Sequence, residues 1–401
     1  MRWQFANPND RRETQERQQI LQRIDAWWRA FAAKKDSLTA LFSRKARWDL
    51  PAWMEENLQA IHPSIMWEYG PAVRTKGHRL VLTPESAHHL RPLVGIILQR
   101  APKIEGWEFY PHRLPESEAD ALATVKGRTE CDVGDYKVRI SAGEYQRIDL
   151  CFVSPDISGP TDQDALNAAF VAAESLLGEE LLDRWIGGIA VANSDDKSSV
   201  PSGNKPARPV TLDRLRETVL ALIESIREQL PEQPQFERLE DAEWTSWKLE
   251  PGDEEDCFEQ QDLHVAKSVY PVAWMAAHSG HLFFSERFSR CGETFCYLKV
   301  DGSEGLEDSQ FEDKAEIEDA LDEILIPAKL GCVIGGGTGK RYSYIDLALL
   351  NCEQSIQAVR QRLQEGSTPR SSWIQFYDAD QGAEWVGIYD DTPPPPIRFD
   401  E

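Results

Sequence analysis

Gly335-Gly336-Gly337-Thr338-Gly339-Lys340-Arg341-Tyr342-Ser343-Tyr344-Ile345-Asp346-Leu347-Ala348-Leu349 is the stretch whose reading decides the fold. Its second half alternates like a strand, and the apolar run Cys332–Ile334 lies just before it. Two short strands around a glycine turn make a hairpin, because glycine supplies the positive φ that tight turns demand.

Working outward, Thr294–Val300 is β-branched and aromatic and reads as a strand. An acidic segment, about 311–325, keeps Ile317, Leu321, Ile324 and Leu325 at helical spacing. After the hairpin, Ile356, Val359 and Leu363 mark a helix, and Trp373–Tyr377 and Trp385–Tyr389 read as strands. The order from 294 is β-α-β-β-α-β. It predicts an α+β layer with helices on one face of an antiparallel sheet, the ferredoxin-like plait.

The hairpin has an echo. Tyr145-Gln146-Arg147-Ile148-Asp149-Leu150-Cys151-Phe152 and Tyr342–Leu349 both fit Tyr-x-x-Ile-Asp-Leu-x-apolar, and each follows a glycine, Gly143 or Gly339. A hairpin-helix module duplicated in the two halves explains this economically. In alternating strands, Asp149 and Asp346 belong on the wet face beside inward Ile and Leu.

Residues 1–36 form an amphipathic helix: Ile20, Ile24, Trp27, Trp28 and Phe31 share a face, and Asn9 or Asp10 can cap it. Residues 37–192 read as a first α+β unit of two α-ββαβ halves, opening on a helical stretch 37–60 that Pro51 interrupts. Residues 193–209 are a Ser/Pro/Gly linker. Residues 210–392 form a second, acidic α+β unit. In it Thr211 caps a helix, Val265–Ala277 reads as helical and Leu282–Phe288 as a strand. Residues 393–401 are a proline-rich tail.

Charge separates the halves. The whole chain carries −24; residues 1–200 hold 25 Lys/Arg against 29 Asp/Glu (−4), and residues 201–401 hold 19 against 39 (−20). Such a surface repels phosphate backbones, which argues against nucleic-acid binding, and attracts basic partners. The first fifty residues are basic (11 against 6), so self-association through opposite ends is open. Neither a signal-peptide core nor an apolar run of membrane-spanning length occurs, so a cytoplasmic protein without membrane contact is expected. The seven cysteines are irregularly spaced, as reduced thiols in a reducing compartment are.

No catalytic motif survives inspection. A Walker loop would need glycine where Ile334 stands and Ser/Thr where Arg341 stands. The run nonetheless holds cations in an acidic half. Gly337, Gly339, Lys340 and Arg341, with Asp346 and its echo Asp149, are therefore the candidate binding residues, for an anion or phosphate. Asp301–Glu312 has an EF-hand's length but Leu306 in place of the invariant glycine. Cys291-x4-Cys296 has no second ligand pair, and His88-His89 point apart on a helix. No metal or cofactor is expected.

Trp67-Glu68-Tyr69-Gly70-Pro71, Ala101-Pro102 through Gly106-Trp107-Glu108-Phe109, and Gly337-Thr338-Gly339 through Tyr344-Ile345-Asp346-Leu347 resemble phrases of uncharacterised bacterial proteins. Those proteins carry domains of unknown function with ferredoxin-like α+β topology. The resemblance implies a fold and a bacterial cytoplasmic setting, and no activity or site residues. A looser analogy of fold and charge links the chain to acidic, ferredoxin-like protein inhibitors of bacterial nucleases. The expectation is a non-enzymatic acidic binding or regulatory protein engaging a basic protein. The alternative is a small-ligand binder or enzyme using the 335–341 turn.

Overall fold

A computed structural model describes residues 1–43, 45, 47–194, 208–252, 260–302, 306 and 308–396. Contacts divide the chain into two compact units, Met1–Pro111 with Glu232–Glu401, and His112–Pro231. Among the described residues no helix is long and apolar enough to cross a membrane.

The first unit opens with α1, Arg11–Phe42, capped by Asp10, whose carboxylate accepts the amide hydrogens of Arg12 and Glu13. Both expected helices are present, with the boundary between them shifted. One helix runs through position 37, and the short α2, Leu50–Asn57, follows it. Pro51 sits in the first turn of α2, where its missing N–H costs nothing. Strands β1 (Met66–Pro71) and β2 (His78–Thr83) pair antiparallel; α3 (Arg91–Gln99) returns the chain so that β3 (Trp107–Tyr110) joins β2 in parallel. Ile24, Trp27, Trp28 and Phe31 of α1 bury against this sheet, and the Trp28 indole N–H donates to the Ile97 carbonyl at 2.8 Å.

The second unit holds α4 (Glu118–Thr129), β4 (Lys137–Ala142), β5 (Ile148–Ser154), α5 (Gln163–Leu177), α6 (Glu179–Trp185), β6 (Ile186–Asn193), β7 (Val210–Thr211) and α7 (Leu212–Gln229). Its sheet order is β6-β5-β4-β7, with β4 and β5 antiparallel and β6 parallel to β5. Alanines 165, 168, 169, 172 and 173 are buried on α5, small enough to let neighbouring backbones approach closely. Of the expected linker, 195–207 lie outside the described residues.

The chain then returns to the first unit with β8 (Thr245–Lys248), β9 (Leu263–Ser268), α8 (Pro271–Ala277), β10 (Thr294–Asp301), α9 (Lys314–Leu325), β11 (Gly331–Gly339), β12 (Tyr342–Leu349), α10 (Cys352–Glu365), β13 (Ser372–Phe376) and β14 (Trp385–Gly387). The seven strands lie in the order β14-β13-β10-β12-β11-β9-β8, and every neighbouring pair is antiparallel. Ile317 and Leu321 of α9 and Ile356 and Val359 of α10 pack with Leu298, Ile345 and Leu347 on one face. The N-terminal segment also reaches this sheet. Glu384 accepts the amide hydrogens of Trp3, Gln4 and Phe5 at 2.6–3.1 Å, and Phe5 stacks on Phe376.

Three expectations are corrected in this sheet. Val265–Ala277 is not one helix: β9 ends at Ser268, and Pro271 starts α8. Leu282–Phe288 is not a strand but a loop with a single 3-10 turn at Ser285–Arg287. Glycines 335–337 lie inside β11, paired with β12 on one side and β9 on the other, Gly339 ends the strand against Leu263 of β9, and only Lys340 and Arg341 form the turn. A β-carbon on Gly336 would stand 2.2 Å from the Tyr344 carbonyl oxygen, and one on Gly337 2.4 Å from Leu263. The glycines therefore let neighbouring chain cross β11 closely.

Candidate functional site

The face of the sheet opposite α9 and α10 is polar and aromatic. Alternation along β12 puts Tyr342, Tyr344 and Asp346 there, and the register aligns Lys299 with Tyr344 and Tyr297 with Asp346. Leu263, Ala266, Trp274 and Trp373 complete its buried cluster. The side chains of β11 are missing on this face because its residues are Gly335 and Gly337, and the segment leading into β9 fills the space.

Asp262 is the anchor of that segment. It is 1% exposed, and its Oδ2 accepts the amide hydrogens of Arg341 and Tyr342, each at 3.0 Å, while Oδ1 accepts the Tyr344 hydroxyl at 2.5 Å. A β-carbon on Gly339 would collide with this carboxylate, so glycine at 339 makes room for it. The ammonium of Lys340 donates to the Gly252 carbonyl at 3.0 Å, and Arg341 pairs with Asp301 at 3.2 Å. Of the amides of the 335–341 run, that of Arg341 thus donates to the protein's own carboxylate, joined by that of Tyr342 beyond it. Lys299, 0% exposed, lies with its ammonium 4.1 Å from the centre of the Tyr342 ring and 5.9 Å from that of Tyr344, a buried cation over π faces.

A second chain of contacts crosses the same face. His278 Nδ1 lies 2.8 Å from the Trp274 carbonyl, and its Nε2 lies 2.6 Å from Gln260 Oε1. Gln260 Nε2 donates to the Tyr377 hydroxyl at 2.7 Å, and that hydroxyl donates to Asp346 Oδ1 at 2.6 Å. His278 is exposed, Gln260 buried and Asp346 2% exposed, so the chain runs from solvent to the middle of the sheet. Asp346 Oδ2 has no partner among the described residues. Burial, against the hydrogen bonds of Tyr377 and Gln260, pushes the Asp346 carboxyl up to about 6, and burial with the nearby carboxylate pushes the Tyr377 hydroxyl up. The rings of Trp247, Trp274 and His278 form a continuous stack, with centroids 4.1 and 4.0 Å apart.

Asp346 therefore lies inside, and not on the expected wet face: the second face of this sheet is covered. Its echo Asp149 is half-buried at the start of β5, with its carboxylate against the backbones of Gly143, Gly187 and Gly188. Gly337, Gly339, Lys340, Arg341 and Asp346 share one hairpin in the first unit; Asp149 belongs to the second. Asp262, Lys299, Gln260, His278 and Tyr377 were missed as site residues. Lys299 carried a signal, a lone lysine inside the run Phe295-Cys296-Tyr297-Leu298-Lys299-Val300.

Elsewhere on the first unit, α9 turns Glu316, Asp319 and Glu323 to solvent, preceded by exposed Glu312 and Asp313. Its lysine is not available to neutralise them, because Lys314 and Lys267 both pair with the buried Glu318. A cleft of about 140 Å³ lies between the N-terminal segment and β14, where the Arg2 guanidinium sits 3.6 Å over the Trp385 ring and pairs with Glu13. Among the described residues no group of three or more His, Cys, Asp or Glu is placed to hold a metal ion, and six cysteines are free thiols. The seventh, Cys257, and positions 303–305 and 307 of the rejected calcium loop lie outside the described residues.

Comparison with protein-family models, with curated proteins and with solved structures finds no match to this chain.

Proposed function

We propose that this chain is a non-enzymatic binding protein that engages a basic protein partner through the outer face of α9. The observation that carries this reading is the row of exposed carboxylates Glu312, Asp313, Glu316, Asp319 and Glu323, beside which the local lysines are already paired inward. Clustered charge of one sign speeds the encounter with an opposite surface and fixes its register. The net charge of −20 over residues 201–401 extends the same field. The buried polar face beneath β12 serves in this reading to hold the sheet that presents α9.

The scaffold fits a ferredoxin-like module. The order β13-β10-β12-β11, with α9 and α10 on one face, supports that reading. The shared hairpin-plus-parallel-return of β1-β2-α3-β3 and β4-β5-α5-β6 supports an internal repeat within residues 37–192. A bacterial cytoplasmic setting is part of the same proposal.

The test is affinity capture from bacterial lysate with the wild type and with a Glu316→Lys/Asp319→Lys/Glu323→Lys variant. A basic protein retained by the wild type at low salt, and lost both at high salt and with the variant, supports the reading. Equal capture by both proteins sinks it.

A further inference from the structure

Beyond the binding face, the geometry points to a proton-linked relay in which surface His278 and buried Asp346 exchange protonation states through the carboxamide of Gln260 and the hydroxyl of Tyr377. The Trp274 carbonyl can only accept, so His278 Nδ1 beside it carries a hydrogen. In the observed orientation Nε2 faces Gln260 Oε1, another acceptor, and so carries a hydrogen too. That makes His278 an imidazolium. Gln260 Nε2 then donates to Tyr377, and Tyr377 to Asp346, which is the carboxylate. The Gln260 amide also approaches Asp346 Oδ1 at 3.5 Å, the disposition expected of NH₂ beside a carboxylate.

A second arrangement has the same net charge. When Nε2 gives up its proton it becomes an acceptor, and the Gln260 carboxamide turns over to donate to it. Gln260 Oε1 then accepts the Tyr377 hydroxyl, and Asp346 loses both donors. A buried carboxylate without donors takes up a proton. Asp346 Oδ2 is the vacant position for it, since it has no partner among the described residues. One proton leaves His278 Nε2 for solvent and one arrives from solvent at Asp346 Oδ2; the hydrogen bonds of Gln260 and Tyr377 reverse, and no other covalent bond changes.

The charged groups around the relay set its balance. Asp346 faces Tyr377 beyond β13 and Gln260 on its own side of the sheet, and Tyr297 of β10 is its neighbour in the register. From α9, Lys314 favours its charge and Glu318 opposes it. His278 faces Trp274, Gln260 and Tyr377. Because His278 stacks on Trp274, and Trp274 on Trp247 of the edge strand β8, the imidazolium form grips α8 and β8 more firmly than the neutral ring does. The relay thereby ties the attachment of this sheet edge to which end of the pair, His278 or Asp346, holds the shared proton.

The experiment is NMR titration of the full chain, observing the His278 ring nitrogens and the Asp346 carboxyl carbon. In the wild type the two signals share an inflection. In Tyr377→Phe the Asp346 carbon loses the His278 inflection. In Asp346→Asn the His278 midpoint moves to lower pH, by on the order of one unit. The wild-type measurement needs no substitution and stands if a variant fails to fold. Separate inflections in the wild type, or a His278 titration unchanged in Asp346→Asn, overturn the relay.

Discussion

Replacing Asp262 by alanine separates the two readings of the glycine hairpin. In the wild type this carboxylate accepts two backbone amides and one tyrosine hydroxyl while almost fully buried. Hydrogen bonds to a charged acceptor contribute about 1.5–3 kcal/mol each, and donors left unpaired keep their desolvation cost. Because the three share one acceptor they are not additive, and a loss of about 3–5 kcal/mol is expected, the range for breaking a buried charged contact. The variant also vacates the space in front of the Arg341 and Tyr342 amides. Formate, a carboxylate of the right size, is then expected to restore part of the loss, whereas phosphate and formate leave the wild type unchanged. Urea denaturation followed by circular dichroism, with and without formate, measures both effects. A variant within about 1 kcal/mol of wild type refutes Asp262 as the anchor of the hairpin, set against that expected loss. Amide shifts at Arg341 and Tyr342 of the wild type on adding phosphate refute the claim that the loop is already filled.

Other outcomes follow from the same contacts. The Asp346 carboxyl is raised from its ordinary 3.8 to about 6, so the native state holds this proton more tightly than the unfolded chain. The stabilisation it brings is fully present below the unfolded value and is lost as pH rises through about 6, a swing on the order of 3 kcal/mol. Asp346→Asn is expected to flatten the stability–pH curve in that window, leaving the share of Asp322, which burial also raises to about 6; an unchanged slope in chemical denaturation at stepped pH contradicts it. Gly336→Ala, at φ 151° with its new carbon against the Tyr344 carbonyl, is expected to destabilise the seven-stranded sheet by about 2 kcal/mol or more. Gly127→Ala in α4, where nothing lies within 4 Å, is expected to stabilise the second unit by about 0.5–1 kcal/mol. Denaturation midpoints of the two variants should therefore move in opposite directions.

Periodicity carried the parts of this fold that it governs. Ile317, Leu321 and Leu325 place α9 correctly because an amphipathic helix must show its stripe in sequence. It failed where an apolar run crosses a boundary. Val265–Ala277 runs from inside β9 through α8, and Pro271 marks the change. The run Gly335–Gly339 looks like a turn in sequence because glycines have two structural meanings, positive φ and close approach. Which one holds here depends on Asp262 and Leu263, some seventy residues earlier in the chain. The polar face stayed hidden for the same reason. Gln260, His278, Tyr377 and Asp346 come from four separate segments, and no local pattern joins them. The contact of Glu384 with residues 3–5 is likewise invisible to any window of sequence.

Ionic strength tests the role of α9 most directly. The dissociation constant of the basic protein captured by the wild type is to be measured at low and physiological salt, against both the wild type and the Glu316→Lys/Asp319→Lys/Glu323→Lys variant. Steering by the exposed carboxylates predicts steep weakening of the wild-type complex with salt. It also predicts a variant at least about tenfold weaker at low salt, three contacts of roughly 0.5 kcal/mol each being removed before repulsion is counted. Equal dissociation constants for the two proteins, indifferent to salt, would contradict the account.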